Sequence, residues 1–195
     1  MLRLELPPVL YDRFVRPKWV TEAYIHRCVE EHTPLSQRTV LDFGAGTGSN
    51  CVLCSPDQYL GVDPNHERVN YAKTVYPNYQ FKPLSGNQLP IESQSIDTIM
   101  IIAVLHHIDP KEMPNIIEEF RRVLKPENRQ IIVIEPCIYK KCNISNWFMR
   151  TFDKGRYIQD QPTYLSYFEN EGFTCEVKKM FSKCLFYNEL FFVAH

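Results

Sequence analysis

A large excess of either charge is missing from this chain: 22 lysines and arginines face 23 aspartates and glutamates in 195 residues, for a formal net charge of -1. A near-neutral surface has no general attraction for polyphosphate or an anionic membrane, so a large nucleic acid is a disfavoured partner. Long apolar runs are missing as well. None approaches the ~18 residues a bilayer-spanning helix needs, and the amino terminus lacks the apolar core of a secretory signal. A soluble, cytoplasmic protein is expected. The seven cysteines are odd in number and without repeat spacing, which argues against a disulfide framework and for a reducing compartment. Cys51-Val52-Leu53-Cys54 has no second pair at zinc-knuckle spacing, so these thiols read as small apolar packing residues and no metal is expected. Repeats and low-complexity tracts are absent. Glycine is scarce, at seven residues, yet Gly44, Gly46 and Gly48 fall within one short stretch.

That stretch is the most informative part of the chain. The apolar run Val40-Leu41-Asp42-Phe43 ends in Gly44-Ala45-Gly46-Thr47-Gly48. This pattern reads as a buried strand turning sharply, where missing side chains let a ligand touch the backbone. About 20 residues further on, Tyr59-Leu60-Gly61-Val62-Asp63 ends in an acid. It would sit at the carboxyl end of the neighbouring parallel strand, where a carboxylate can accept both hydroxyls of a ribose. The pair implies an adenosine-containing cofactor. A dinucleotide fold wants Gly-x-Gly-x-x-Gly, with pyrophosphate on the following helix. Here the third glycine comes one residue early.

The rest alternates. Strands are expected over 38–43, 58–62, 79–82, 97–103 and 130–135, with helices over 65–75, 111–123, 144–152 and 163–172. The runs 173–181 and 185–194 read as a terminal hairpin. Alternation of this kind gives a parallel sheet with helices on both faces, and the 44% hydrophobic composition suffices for one domain's core. A helix over 18–32 is expected to pack Trp19, Val20, Ala23, Tyr24 and Cys28 on the sheet. Phe186, Tyr187, Phe191 and Phe192 are expected in the core.

Asp42-Phe43-Gly44-Ala45-Gly46-Thr47-Gly48 resembles the first motif of class I S-adenosylmethionine-dependent methyltransferases, whose ligand carries no phosphate. Leu89-Pro90-Ile91 with Ser95 to Ile108, and Phe120-Arg121-Arg122-Val123-Leu124-Lys125-Pro126 with Ile131 to Glu135, resemble later segments of its small-molecule, type 11-like branch. The likeness covers roughly residues 37 to 136. It implies a Rossmann-like, doubly wound sheet of order 3-2-1-4-5-7-6 with strand seven antiparallel, and S-adenosyl-L-methionine as cofactor. Asp42, Gly44, Ala45, Gly46 and Gly48 would meet its methionine and sugar portions, and Asp63 its ribose, ahead of Pro64 in the first turn of the next helix. Ala103 would border the site. Relatives often carry Asp-Ala where this chain has Ser85-Gly86, so Ser85 or Asn87 must accept from adenine while the Gly86 amide donates.

Methyl transfer needs chiefly alignment, and a base only if the acceptor must lose a proton. His106 and His107 follow strand four and are the available groups near neutral pKa. On the acceptor side stand Tyr11, Arg16, Glu135, Asp153, Arg156 and Tyr157. The stretch 152–158 resembles a segment in small methyltransferases associated with cell-surface glycan pathways. Residues 1–37 would form a lid segment and helix, 38–136 the cofactor-binding core, and 137–195 the acceptor-side helices and hairpin. The expected acceptor is a small or glycan-like molecule. An RNA methyltransferase using Cys137, after Pro136, lacks a second Pro-Cys at strand four. A non-catalytic binding protein of the same fold is the other alternative. A short-chain dehydrogenase is excluded because no tyrosine has a lysine four residues on.

Overall fold

The computed structural model describes residues 18–86, 88–127, 129–140, 143–153, 155–183 and 187–195. Among them, seven strands form one sheet: β1 (Val40–Phe43), β2 (Tyr59–Asp63), β3 (Gln80–Pro83), β4 (Thr98–Ile102), β5 (Gln130–Pro136), β6 (Cys175–Lys183) and β7 (Tyr187–Ala194). Their order is β3-β2-β1-β4-β5-β7-β6. The first five pair in parallel, and β7 runs antiparallel to both β5 and β6. Every residue of β1 and β4 is buried, as expected of near-continuous apolar strands covered on both faces.

Alternate strand residues serve opposite faces. Leu41, Phe43, Ile99, Ile101, Ile131 and Val133 pack with Ile117 and Phe120 of α3 (Met113–Val123) and Tyr164 and Phe168 of α5 (Gln161–Glu169). Val40, Met100, Ile102, Ile132 and Ile134 pack with Val69 and Ala72 of α2 (His66–Val75), and with Ile25, Cys28 and Val29 of helix α1 (residues 18–32). A fourth helix, α4 (Asn143–Phe152), follows β5. No helix among the described residues is long and apolar enough to cross a membrane.

Helix α1 departs from the expected stripe. It runs Lys18–Thr21, widens into a π-turn over Glu22–His26 and resumes over Arg27–His32. The extra residue in the wide turn shifts the helical phase. Its inward face is therefore Val20, Thr21, Ile25, His26, Cys28 and Val29, whereas Trp19 is 64% exposed and Ala23 lies outside.

After the glycine turn the chain makes two short 3₁₀ turns, Cys51–Leu53 and Pro56–Gln58, before β2. Ser55 is extended ahead of Pro56, a position at which proline disfavours helix. Cys51 and Cys54 fill this corner of the core, and burial pushes the Cys54 thiol up to about 12.

Asp97, just before β4, ties the amino edge of the sheet together. Its Oδ2 accepts from the Thr39 amide (2.8 Å) and hydroxyl (2.7 Å), and its Oδ1 meets Lys125 Nζ at 2.9 Å. Partial burial opposes the charge, but these partners outweigh it and hold the carboxyl down to about 2. A depressed carboxyl contributes stability that is present above its ordinary value of 3.8 and lost as pH falls toward 2. Urea midpoints are expected to fall across that window in the wild type. In Asp97→Asn they start lower and change less, and equal slopes in the two proteins would refute this role.

Candidate active site

The loop after β1 is built by backbone that only glycine adopts readily: φ is +78° at Gly44, +55° at Gly46 and +85° at Gly48. The amides of Gly44 and Ala45 donate to the Val62 carbonyl (2.8 and 2.9 Å), which binds the loop to the end of β2. A Cβ on Gly44 would come within 2.5 Å of Val104, so the end of β4 lies directly against the loop.

Asp63 ends β2 buried, accepting the Gly46 amide at Oδ2 and the Asn65 amide at Oδ1, both at 2.8 Å. The helix cap is not Asp63 but Asn65, whose Oδ1 accepts from the Glu67 and Arg68 amides. Pro64 is exposed and precedes the helix rather than opening its first turn. Asp42 is turned inward: its Oδ2 accepts from the Tyr59 hydroxyl (2.7 Å) and the Asn50 amide (3.4 Å). Ser85 and Gly86 follow β3, both exposed. Tyr11, Arg16, Asn87 and Phe186 lie outside the described residues.

At the end of β4, Ala103 takes φ +57°, an uncommon conformation for a residue with a side chain, while its amide donates to Ile134 (2.8 Å). That turn aims three successive amides at one carboxylate. Glu135 Oε1 accepts from Val104 (2.6 Å) and Leu105 (2.8 Å), and Oε2 from the His106 amide (3.3 Å). Oε2 also lies 2.7 Å from His106 Nδ1. Glu135 is fully buried and faces this turn rather than the crevice.

The two histidines, expected near neutral pKa, are pushed in opposite directions. Burial alone would lower the proton affinity of His106, but Glu135, Asp153 and Glu189 outweigh it and raise it above the ordinary value. His107 stacks on His106 with ring centroids 4.0 Å apart and keeps an exposed edge. Desolvation of its inner side, then repulsion from His106, pulls His107 down to about 4.

Residues 153–157 lie against the same turn. Asp153 Oδ1 is 3.6 Å from His106 Nε2 and accepts the Gly155 amide (2.6 Å). The Tyr157 amide donates to the His106 carbonyl (3.0 Å) and its hydroxyl to Asp109 (3.2 Å). Gly155 is obligatory here because a Cβ would overlap the His106 ring. Arg156 points to solvent.

Tyr187, expected in the core, instead donates its hydroxyl to Asp153 Oδ2 from the start of β7. Lys183 lies over its ring at 4.7 Å and pairs with buried Glu189 at 2.7 Å. The polar run Tyr187-Asn188-Glu189, opening an otherwise apolar strand, was the available signal. Phe191 and Phe192 are core residues as expected. Cys137 is buried and its thiol is pushed up to about 12, mainly by burial, so it offers no thiolate nucleophile.

A glycine turn beside a buried acid, at the switch point of a 3-2-1-4-5-7-6 sheet, defines a cofactor-binding methyltransferase fold. Residues 40–127 match the family model described as a methyltransferase domain. Over that segment the chain is similar to methyltransferases. It is 26% identical over 190 residues to an uncharacterized methyltransferase-like protein of Schizosaccharomyces pombe, covering 88% of this chain and 66% of that one. The chain thus spans just under two-thirds of this relative's length. In structure it resembles a SAM-dependent methyltransferase of Aquifex aeolicus (TM-score 0.69, 19% identity, 98% and 100% covered). It also resembles the magnesium protoporphyrin IX methyltransferase of Synechocystis with bound SAH (TM-score 0.68, 18% identity, 98% and 89% covered).

The residues present fit the family's cofactor. A Cβ on Gly46 would meet nothing nearer than 4.0 Å, and one on Gly86 nothing within 4 Å, so both leave open space beside polar backbone. The Asp63 carboxylate, bonded to the Gly46 amide, offers the acceptor chemistry a ribose diol requires.

Proposed function

We propose that this protein transfers a methyl group from S-adenosylmethionine to a small-molecule acceptor in the crevice above the carboxyl ends of β4 and β5 and the amino end of β7. The observation that carries the reading is the polar chain Glu135-His106-Asp153-Tyr187, which joins the end of β4, itself packed on Gly44, to the segment after α4. Bound cofactor would supply an electrophilic methyl group. Gly44, Ala45, Gly46, Gly48 and Asp63 would hold it, with Ser85, Gly86 and Ala103 bordering it.

The acceptor side is shaped by what each residue can still do. His106 is desolvated by burial, but Glu135 at Nδ1 and Asp153 near Nε2 raise its proton affinity above the ordinary value and occupy both ring nitrogens, so it is not placed to take a proton from the acceptor. Glu135 and Asp153 are positioning residues: one gathers the turn after β4, the other fastens the 153–157 segment and β7 to it. His107, neutral near pH 7 and open at one edge, is the group that would accept a hydrogen bond or proton from the acceptor. Alignment of nucleophile and methyl carbon would contribute the rest.

Two measurements test this. Calorimetry should show binding of S-adenosylhomocysteine and none of NAD, and the reverse result would overturn the assignment. Once an acceptor is found by S-adenosylhomocysteine release, the acidic limb of kcat/KM should lie near 4, because His107 must be neutral to act. A limb near 6.5 that persists in His107→Gln would remove His107 from the reaction.

A further inference from the structure

Outside the turn that carries the histidines, the segment following β5 and helix α4 border a hollow. It measures about 450 Å³ and is walled by Tyr139, Lys140, Asn146, Trp147 and Arg150, with Asp160 at its edge. Its walls are fixed rather than incidental. Asn146 clasps the Tyr139 backbone at two points, accepting its amide at Oδ1 (3.1 Å) and donating Nδ2 to its carbonyl (2.7 Å). The Tyr139 hydroxyl donates to the Glu189 carbonyl (2.6 Å), and Ile138 bridges to Asp160. Attachments to α4, to β7 and to Asp160 before α5 hold this short segment in place.

The chemistry of the lining is selective. Trp147 is 62% exposed and lines the hollow together with Tyr139. Lys140 and Arg150 are both exposed at the same hollow. The one acid, Asp160, is already committed to capping α5, with Oδ1 accepting the Thr163 amide (3.1 Å) and hydroxyl (2.6 Å). Flat aromatic surface with two cations and a satisfied acid suits a ligand that is planar and negatively charged.

We propose that this hollow is a binding site for a small planar organic anion, stacked on Trp147 and paired with Lys140 and Arg150. The site stands or falls on binding alone and is independent of the methyl-transfer reading.

The test uses the full chain, with 1-naphthoate as probe and 1-naphthamide as its uncharged counterpart. Titration calorimetry should show saturable binding of 1-naphthoate, with 1-naphthamide weaker by roughly tenfold or more. The Lys140→Gln/Arg150→Gln double variant should lose that preference, and Trp147→Ala should weaken both probes. In Trp19→Phe, 1-naphthoate should quench the remaining Trp147 emission. Near-ultraviolet circular dichroism verifies that these surface variants keep the fold. Absence of 1-naphthoate binding at millimolar concentration would overturn the proposal. So would equal affinity for the two probes, or binding indifferent to Trp147→Ala. Vesicles of phosphatidylglycerol provide the last arm. If they bind through Trp147, Lys140 and Arg150 while 1-naphthoate does not, the face is a membrane contact and the proposal fails.

Discussion

Glu135→Ala is expected to destabilise the protein by about 3 to 5 kcal/mol, the range for removing one partner of a buried ion pair. The substitution leaves the amides of Val104, Leu105 and His106 without their shared acceptor and takes the carboxylate away from the buried His106 Nδ1. Against a typical domain stability of ~5 to 15 kcal/mol that is a large fraction. Urea unfolding at pH 7 measures it directly. Glu135→Gln should fall between, because an amide can still accept at one oxygen but must turn an NH2 toward a second donor. If Glu135→Ala costs under ~1 kcal/mol, the carboxylate is not what gathers this turn. The pairing also carries a pH sign. His106 has a raised proton affinity in the fold, so its contribution is full below the ordinary value of 6.5 and is lost as pH rises through the raised one.

The second large effect is at Asp63. Asp63→Ala should weaken S-adenosylhomocysteine binding by roughly tenfold to a hundredfold, the equivalent of a charged hydrogen bond worth ~1.5 to 3 kcal/mol. The same change frees the amides of Gly46 and Asn65, which loosens the glycine turn as well as removing the acceptor for a ribose. Asp63→Asn separates the two contributions. It keeps one oxygen and should retain more of the fold than of the affinity. Calorimetry on variants verified as folded gives the answer, and an unchanged dissociation constant in Asp63→Ala would take this residue out of the cofactor site.

Much of this site was legible in the order of residues along the chain. Gly44, Gly46 and Gly48 after an apolar run, and Asp63 at the end of the next, are local signals: positive φ demands glycine, and a strand end dictates where its last side chain goes. His106, Glu135, Asp153 and Tyr157 could be nominated because each follows or ends a predicted strand or helix. Their roles were not legible. Whether a buried histidine's proton affinity rises or falls depends on which carboxylates surround it, and those come from β5, β7 and the segment after α4. Tyr187 was misread for the same reason. An aromatic in an apolar strand looks like core until a distant Asp153 is found at its hydroxyl. The stripe on α1 failed differently, since a π-turn inserts one residue and no periodicity of 3.6 anticipates it.

The sequence by itself determined the sheet, because runs of buried β-branched residues separated by amphipathic helices have one economical way to bury both faces. It also determined the cofactor class, because three glycines at that spacing and an acid on the neighbouring strand are contiguous in the chain. Only the tertiary structure decided the protonation of His106 and His107, the inward turn of Glu135 and Asp42, and the recruitment of Tyr187. Those outcomes rest on burial and on charges brought together from residues tens of positions apart, and electrostatic energy depends on distance in space rather than along the chain.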